Sequence, residues 1–384
     1  MSKAAELANL IGNINAGGGG VNRNVIINGA MNVAQRGTST TGLKNSGGIY
    51  TIDRFSYRRS GTWTNFDSKH EQVDVTDALP SSKGFYKGLR VTCTTAEGSS
   101  PSGTEATGIG YYIEKQDLHK LCVGSSSMKT TVISFYVKAS IAATYGFNIQ
   151  GAAHSTEQQI DIPFTVSSAN TYEKISITIP TYNVAFDSTA DNATGWRLHW
   201  ALDGVASSRS ANAWGNTSDG LIMPNGVSAT GFSNTLNATF EITGVQLEVG
   251  QNPTEFEHEP FERTIAKCQR YLISLDMTTN LTGDTFGKYF TGPIISSTNA
   301  RPQMNFPVPM RGKPSLVSSS ASELALNHGS NSNTALSSLS LNQHSNINTG
   351  TIEAVVGSGL SAGDSCCLSS NNNQTSFVRF DAEL

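Results

Sequence analysis

The chain has 384 residues, 37% of them apolar and only 15% charged, with 26 basic and 30 acidic side chains and a formal charge of −4. The length admits two or three domains. Gly, Ser, Thr and Asn fill the place of the missing charge, which suits short strands joined by many turns and argues against a helix-rich enzyme. The slightly negative balance gives no electrostatic reason to expect nucleic acid as a partner.

The first element in chain order is "SKAAELANLIGNI", residues 2–14, which reads as a short helix. Ser2 can cap it, and Leu7, Leu10, Ile11 and Ile14 fall on one face at i, i+3, i+4, i+7 spacing. A helix of about twelve residues is marginal alone in water, so the stripe needs a partner. The spacing of Leu7, Ile11 and Ile14 is that of a coiled-coil seam; the alternative is a frayed terminal helix with no partner. Gly17–Gly20 then uncouples this helix from the body of the chain, since a glycine tract has no preferred path.

From about residue 22 to 260 the signal is alternation. Ile133, Phe135 and Val137 share one face of "TVISFYVK", with Ser134, Tyr136 and Lys138 on the other. Tyr145, Phe147 and Ile149 do the same, as do Ile160, Ile162, Phe164 and Val166, then Ile175, Ile177 and Ile179, then Trp196, Leu198 and Trp200. The pattern predicts antiparallel strands, each with one buried and one wet face. In "TFEITGVQLEVG" Phe240 and Ile242 alternate, Gly244 interrupts, and Val245, Leu247 and Val249 resume in the opposite phase, which predicts a β-bulge. Short strands at this density predict a two-sheet sandwich of jelly-roll type.

Residues 261–275 break the alternation, with Ile265, Cys268, Tyr271 and Leu272 on one helical face, and predict a connector. Pro307, Pro309 and Pro314 make 305–317 an edge strand or a rigid loop. "LALNH", "LSSLSLNQH", "IEAVVG" and "SFVRFDAEL" supply the strands of a second, smaller β domain. The fold expected is therefore mainly β: a helix and glycine hinge over 1–21, a jelly-roll-like β-sandwich over 22–260, a connector over 261–275, and a C-terminal β domain over 276–384.

The five cysteines, Cys93, Cys122, Cys268, Cys366 and Cys367, are odd in number and lack C-x-x-C spacing. That argues against a disulfide framework or a Cys-ligated zinc and for free buried thiols in a chain folded in a reducing cytoplasm. No secretory signal is visible, and no run approaches the roughly 20 apolar residues of a membrane span, so no membrane insertion is expected.

Three motifs carry a resemblance. "NVIINGAMNVAQRGTS" followed by "YTIDRF" resembles the opening of a family of bacteriophage tail-fibre and virion structural proteins with a carbohydrate-binding-module-like jelly roll. "VQLEVGQNPTEFEHEPFERTIAKCQRYL" resembles its closing motif, and "FPVPMRGKPSL" the start of the domain after it. Asn252-Pro253-Thr254 departs from the family's usual Ala-Thr before Phe-Glu. The resemblance implies a virion location in a tail appendage, attachment to other virion proteins through the N-terminal helix, and a homotrimer. Threefold packing would bury Leu7, Leu10, Ile11 and Ile14. Read physically the motifs are structural: Asn28-Gly29 signals a tight turn, Asp53-Arg54 a local ion pair beside Phe55, and Gln246-Leu247-Glu248 a strand with its polar residues outward.

Catalytic patterns are sparse. "GLSAG" at 359–363 fits G-x-S-x-G, but no histidine follows Ser361 and "DSCCLSS" is a poor helix former, so a nucleophile elbow is not expected. His199 lies opposite in phase to its flanking tryptophans and reads as a surface or satisfied side chain. "DSTADNATG" lacks the ligand spacing of a calcium loop, and neither metal nor cofactor is expected. Paired acids such as Asp67, Glu71 and Asp74 are the enzymatic rival, as in glycan depolymerases, but those are built on long repeats that are missing here. The expectation is a protein that binds and does not catalyse. A sugar site wants an exposed aromatic ring beside Asn, Asp, Gln or Arg. Trp63 in "SGTWTNFDS", Trp214 in "SANAWGNTSDG" and Tyr112 of the Tyr-Tyr pair are the candidate contacts for a host-surface glycan. The alternatives are a purely structural head or neck fibre and, behind it, a glycan-cleaving enzyme.

Overall fold

Alternation becomes strands wherever one face can be buried, and strands frame the first of two compact units, Met1–Thr264. The structure is a computed structural model that describes residues 2–8, 22–44, 47–152, 158–181, 184–187, 190–215, 220–276, 288–329, 332–373 and 375–384. In chain order the strands of this unit are β1 (Ser39–Thr40), β2 (Phe55–Ser60), β3 (Asp67–Asp74), β4 (Lys87–Thr95), β5 (Ala106–Glu114), β6 (Thr131–Ala139), β7 (Ala143–Gly151), β8 (Gln158–Val166), β9 (Glu173–Ile179), β10 (Thr194–Gly204) and β11 (Thr239–Val249). They form a six-stranded sheet in the order β1-β3-β4-β11-β6-β9 and a five-stranded sheet in the order β2-β5-β10-β7-β8. All pairings are antiparallel, giving a jelly-roll-like sandwich.

The two sheets share one core. Phe135 on β6 meets Phe164 on β8 edge-on at 5.3 Å between ring centroids and Trp200 on β10 at 5.8 Å, while Tyr145 on β7 packs on Phe240 of β11 at 5.2 Å. Trp196, Leu198 and Trp200 are fully buried, as their shared phase predicts. Aromatic side chains of this size carry much of the burial energy of such a core.

The expectation of one wet face per strand holds for β9, where Ser176 and Thr178 are exposed opposite Ile177 and Ile179. It fails for β6, where Ser134 and Tyr136 are buried as well as Ile133, Phe135 and Val137. The reason is tertiary: β6 lies inside its sheet, and its second face is covered by a small cluster of Tyr136 with Val75, Phe85 and Tyr172, against which Phe256 packs. The bulge predicted at Gly244 is present. The β11–β6 register shifts between Thr243 and Gln246, and Gly244 has φ +63°.

The opening and closing motifs are hydrogen-bonded to each other. Val25 N–H donates to Leu247 O at 2.9 Å, Leu247 N–H to the Asn24 side chain at 3.0 Å, and Val245 N–H to Gly29 O at 2.9 Å. A Cβ on Gly29 would collide with the carbonyl of Val245, so glycine is required for this approach. Asn28, at φ +62°, ties its side chain to Val33 and to the carbonyl of Asp53, as a turn residue should. Gln246 and Glu248 correct the expectation of outward polar residues, since they are 1% and 0% exposed. Gln246 accepts from Glu257 N–H at 2.8 Å, and Glu248 accepts from Thr254 N–H at 2.8 Å and pairs with Arg23 at 3.4 Å. Asp53 accepts from Gln35, and Arg54 donates to the carbonyl of Tyr112 at 2.6 Å with its guanidinium 5.5 Å from the Tyr111 ring. These motif residues fasten the ends of the sandwich together.

Residues 3–8 form α1, and Ser2 caps it through its side-chain oxygen and the Ala5 N–H at 3.3 Å. Leu7 is 56% exposed. Leu10, Ile11, Ile14 and Gly17–Gly20 lie outside the described residues.

Helix α2 (Phe261–Gln269) contains the division between the units, and Ile265–Glu383 is the second. Leu272, expected on the helical face, instead begins β12 (Leu272–Asp276), with Arg270 and Tyr271 between it and the end of the helix. The further strands are β13 (Lys288–Pro293), β14 (Asn299–Ala300), β15 (Gln303–Asn305), β16 (Ser315–Ser318), β17 (Leu324–His328), β18 (Ser332–Ala335), β19 (Ser338–Leu341), β20 (Thr349–Val355), β21 (Ser365–Ser370) and β22 (Phe377–Asp381). They make three small sheets around a core that includes Phe290, Leu326, Ile352, Leu368 and Phe380. The proline-rich stretch 306–314 has no strand, as its missing N–H donors predict.

Candidate functional site

With Phe55, Tyr57, Ile109, Tyr111, Leu198, Trp200, Phe147 and Ile149 in the core, the intervening residues of the five-stranded sheet point to its outer face. Strand register arranges them in rows. Ser56, Gly110, His199, Asn148 and Asp161 lie side by side across β2, β5, β10, β7 and β8. Beside them run Tyr112, Arg197, Gln150 and Gln159, and on the other flank Arg58, Gly108, Ala201, Gly146 and Pro163.

Part of this face is covered. Leu221 and Met223 pack on Ala106 and Ala201, and a Cβ on Gly108 or Gly146 would meet Leu221 or Pro224. Asp161 is fully engaged below this cover: Arg209 pairs with it at 2.6 Å, and the Asn148 and Gln159 side chains donate to it at 2.9 and 2.7 Å. The segments 205–215 and 220–227 thus wall one end, and Ser56, Arg58, Tyr112, Arg197 and His199 form the remainder.

That remainder is cationic and aromatic. The Arg58 guanidinium stands 5.4 Å from the Tyr112 ring centroid, that of Arg197 stands 5.7 Å from it, and the His199 ring meets it edge-on at 6.3 Å. Glycine at 110 makes this possible, because the Arg58 stem crosses the space a Cβ there would occupy. Arg197 donates to the Gln150 side-chain oxygen at 3.2 Å. Among the described residues neither Arg58 nor Arg197 has an acidic partner within 4.0 Å. His199 is 2% exposed, and both its ring nitrogens lack a hydrogen-bond partner among the described residues. Burial first, and then the charges of Arg58 and Arg197, push its pKa down to about 3, so the imidazole is neutral at pH 7.

Of the aromatic residues singled out in the sequence, only Tyr112 lies on this face. Trp63 is a correction: it is 3% exposed, packs on Phe66 at 4.9 Å and donates its Nε1–H to Ser60 O at 2.9 Å. The loop is pinned by the Glu97 carboxylate, which accepts from the backbone N–H groups of Thr64, Asn65 and Phe66 and so turns the ring inward. Trp214 is half-buried against the core, 6.3 Å from Trp196, with its Nε1–H donated to Pro180 O. His199, expected at the surface or satisfied, is neither. Arg58 and Arg197 are candidate site residues the sequence reading misses, although "GIGYY" and "WRLHW" place Gly110, Tyr112, Arg197 and His199 in one phase.

A second recess, of about 120 Å³, lies on the other sheet among Phe85, Tyr136, Phe256, His258, Lys83 and Lys174. It is smaller than the roughly 300–1,000 Å³ of typical ligand pockets. Its rings pack on one another, Phe85 lying 4.8 Å from Phe256 and 5.0 Å from His258, where the closing motif is fastened down. Ser361 sits in an exposed loop between β20 and β21, with no helix after it among the described residues.

No family model matches the chain, and no curated protein matches it in sequence. Among solved structures, a bacteriophage CBA120 tailspike protein 4 enzymatically active domain aligns with TM-score 0.30 and 12% identity over 59% of this chain and 21% of its own length. The chain therefore spans about a fifth of that tailspike structure. A putative sugar binding protein from Bacteroides thetaiotaomicron aligns with TM-score 0.31 and 10% identity, covering 59% of this chain and 99% of its own. A family 11 carbohydrate-binding module from Clostridium thermocellum, in complex with a mixed-linked tetrasaccharide, aligns with TM-score 0.27 and 13% identity over 58% and 98%.

Proposed function

We propose that this chain is a structural protein of a bacteriophage tail appendage that binds a host-surface glycan on the outer face of its five-stranded sheet and catalyses no reaction. One observation carries the binding: a partly walled polar face where Tyr112, Arg58, Arg197 and His199 converge without carboxylate partners, among the described residues, for the two guanidinium groups. Polar groups held on strands are pre-organised, which lowers the entropic cost of binding. The absence of catalysis is argued from chemistry: a glycosidase needs two free carboxyl groups flanking a bond, and Asp161 on this face is held by Arg209, Asn148 and Gln159. The three sequence motifs support the tail-appendage role, and the exposed Leu7 on α1 supports attachment through the N-terminus. Assembly as a homotrimer belongs to the same proposal, because it multiplies weak single-site affinity.

The test is an array of surface polysaccharides probed with the full chain at high valency. We expect binding to at least one polysaccharide, weakened about tenfold by Tyr112→Ala, a loss of about 1.4 kcal/mol. Removal of residues 1–21 should abolish incorporation into particles and leave array binding intact. No signal for any polysaccharide would favour a purely structural fibre.

A further inference from the structure

We infer that the glycan taken by this face is an acidic one, and that a sugar carboxylate docks between Arg58 and Arg197 beside Tyr112, with His199 beneath. The inference rests on the glycan-binding reading and names the chemical class of its ligand.

A stacking platform for the C–H groups of a neutral sugar needs one flat face of an exposed ring left open to it. Tyr112 is differently placed, with two guanidinium carbons within 5.7 Å of its centroid and an imidazole against it. Such a ring holds cations in position through its negative faces. The cations it holds lack counter-ions among the described residues. Among the described residues Arg197 donates to the amide oxygen of Gln150 and to no carboxylate, and the Nε of Arg58 is buried without a partner. Two half-buried guanidinium groups that reach the same ring from the strands on either side of β5, with no acid partner among the described residues, repel each other in the unliganded protein. An anion of fixed planar geometry relieves that repulsion and can accept paired N–H bonds from each fork.

His199 is the second observation. It is 2% exposed with both ring nitrogens unpartnered among the described residues, an arrangement that costs free energy unless something completes it. A neutral imidazole offers one N–H donor, which suits a carboxylate oxygen. The nearest carboxylate in its own row, Asp161, is turned to Arg209. Register therefore places a donor set with an unmet demand for negative charge at the unwalled end of the face, where a chain end or a side-branching acidic sugar can enter.

The experiment uses the full chain against three immobilised probes: a uronic-acid polysaccharide, the same polymer after carboxyl reduction, and a neutral glucan. Binding to the first should exceed binding to the other two by about tenfold or more, as loss of a charge-assisted pair implies. It should fall severalfold between low and high salt. Arg58→Met and Arg197→Met, which keep the stems, should each remove most of that preference without loss of folded signal by circular dichroism. Free acetate and inorganic phosphate as competitors separate a lone anion from a sugar-borne one; displacement by millimolar amounts of either would overturn the requirement for the sugar. Equal binding to the acidic and reduced polymers would overturn the inference and leave the glycan-binding reading standing. So would acid-dependent binding that both arginine variants retain. Binding to none of the polysaccharides would overturn both.

Discussion

The two outer faces of the sandwich treat charge in opposite ways. On the six-stranded sheet the strong cations near the centre have acids. Arg90 pairs with Glu241 at 2.7 Å and with Glu71 at 3.8 Å, Lys138 pairs with Asp77 at 3.0 Å and Glu241 at 3.4 Å, and the Tyr172 hydroxyl donates to Glu241 at 3.0 Å. On the five-stranded sheet Arg58 and Arg197 face Tyr112 and His199 with no acid at hand among the described residues. The first face pairs these cations within the chain, whereas the second leaves Arg58 and Arg197 without acids among the described residues, which is what the proposed ligand would supply. The difference teaches that polarity alone does not mark a site. What marks it is polarity left without its complement.

The strongest way to break the comparison is at Glu241, which is 3% exposed and joins three partners. Glu241→Ala leaves Arg90 and Lys138 without their central acid on a covered face. We expect a loss of about 3 kcal/mol, at the lower end of the cost of breaking a buried pair because Arg90 keeps some contact with water. Urea denaturation followed by circular dichroism measures it. Glycan binding on the opposite face should be unchanged. A loss below about 0.5 kcal/mol, the range of ordinary surface substitutions, would mean the network is not a structural element.

Acid sharpens the comparison next. His199 on the open face and His70 in the core are both held neutral, their pKa values pushed down to about 3 by burial. His70 at least meets the Thr51 hydroxyl at 2.8 Å, whereas His199 has no such partner among the described residues. An unfolded histidine titrates near 6.5. As the pH falls below about 6.5 the unfolded chain binds protons that the folded one refuses, so this contribution is whole above that pH and is lost progressively toward 3. Each histidine should steepen the fall by up to about 1.4 kcal/mol per pH unit. Stability measured between pH 7 and 4.5 should decline less steeply in His199→Gln, whatever that change does to the absolute value at neutral pH. An unchanged slope would show that burial does not hold His199 neutral in the folded chain.

Much of the body was legible in the sequence, because a strand's burial is written at every second residue. Ile133, Trp200 and Leu247 could be placed in a core from phase alone, and the slip at Gly244 could be read as a bulge. The site was not legible to the same depth. Whether an outward residue is wet, covered or catalytic depends on strand order and on distant loops. Glu241 and Gln246 look like solvent-facing positions and are buried by Tyr172 and by the 252–257 segment. Trp63 sits among Gly, Thr and Asn as an exposed ring would, but Glu97, more than thirty residues away, fastens that loop inward. Arg58 and Arg197 are about 140 residues apart and become neighbours of one ring only through the β2-β5-β10 order. Tyr112 was found because an aromatic pair must show one ring on each face, which is a local fact.

The smallest effect on stability should come from Gly110→Ala, and it bears most directly on how the open face is held. A Cβ at 110 would lie 2.5 Å from Arg58 Cγ and 2.7 Å from Ser56 Oγ, both atoms of movable side chains. Its backbone needs no left-handed conformation, so the added methyl also removes freedom from the unfolded chain, a gain of about 0.4–1 kcal/mol that offsets the crowding. Net stability should therefore change by less than about 1 kcal/mol. The Arg58 stem, however, must leave its path over residue 110, and the guanidinium then loses its place beside Tyr112. Binding to an acidic polysaccharide should fall severalfold without any change in charge. Gly146→Ala is the matched control, because its Cβ would meet Pro224 Cδ at 2.7 Å and the carbonyl of Ile222 at 3.3 Å, on the walled side. That variant should lose stability and spare the arginine pair. If Gly110→Ala binds as the parent does while Arg58→Met does not, the charge of Arg58 matters and its fixed position over the ring does not.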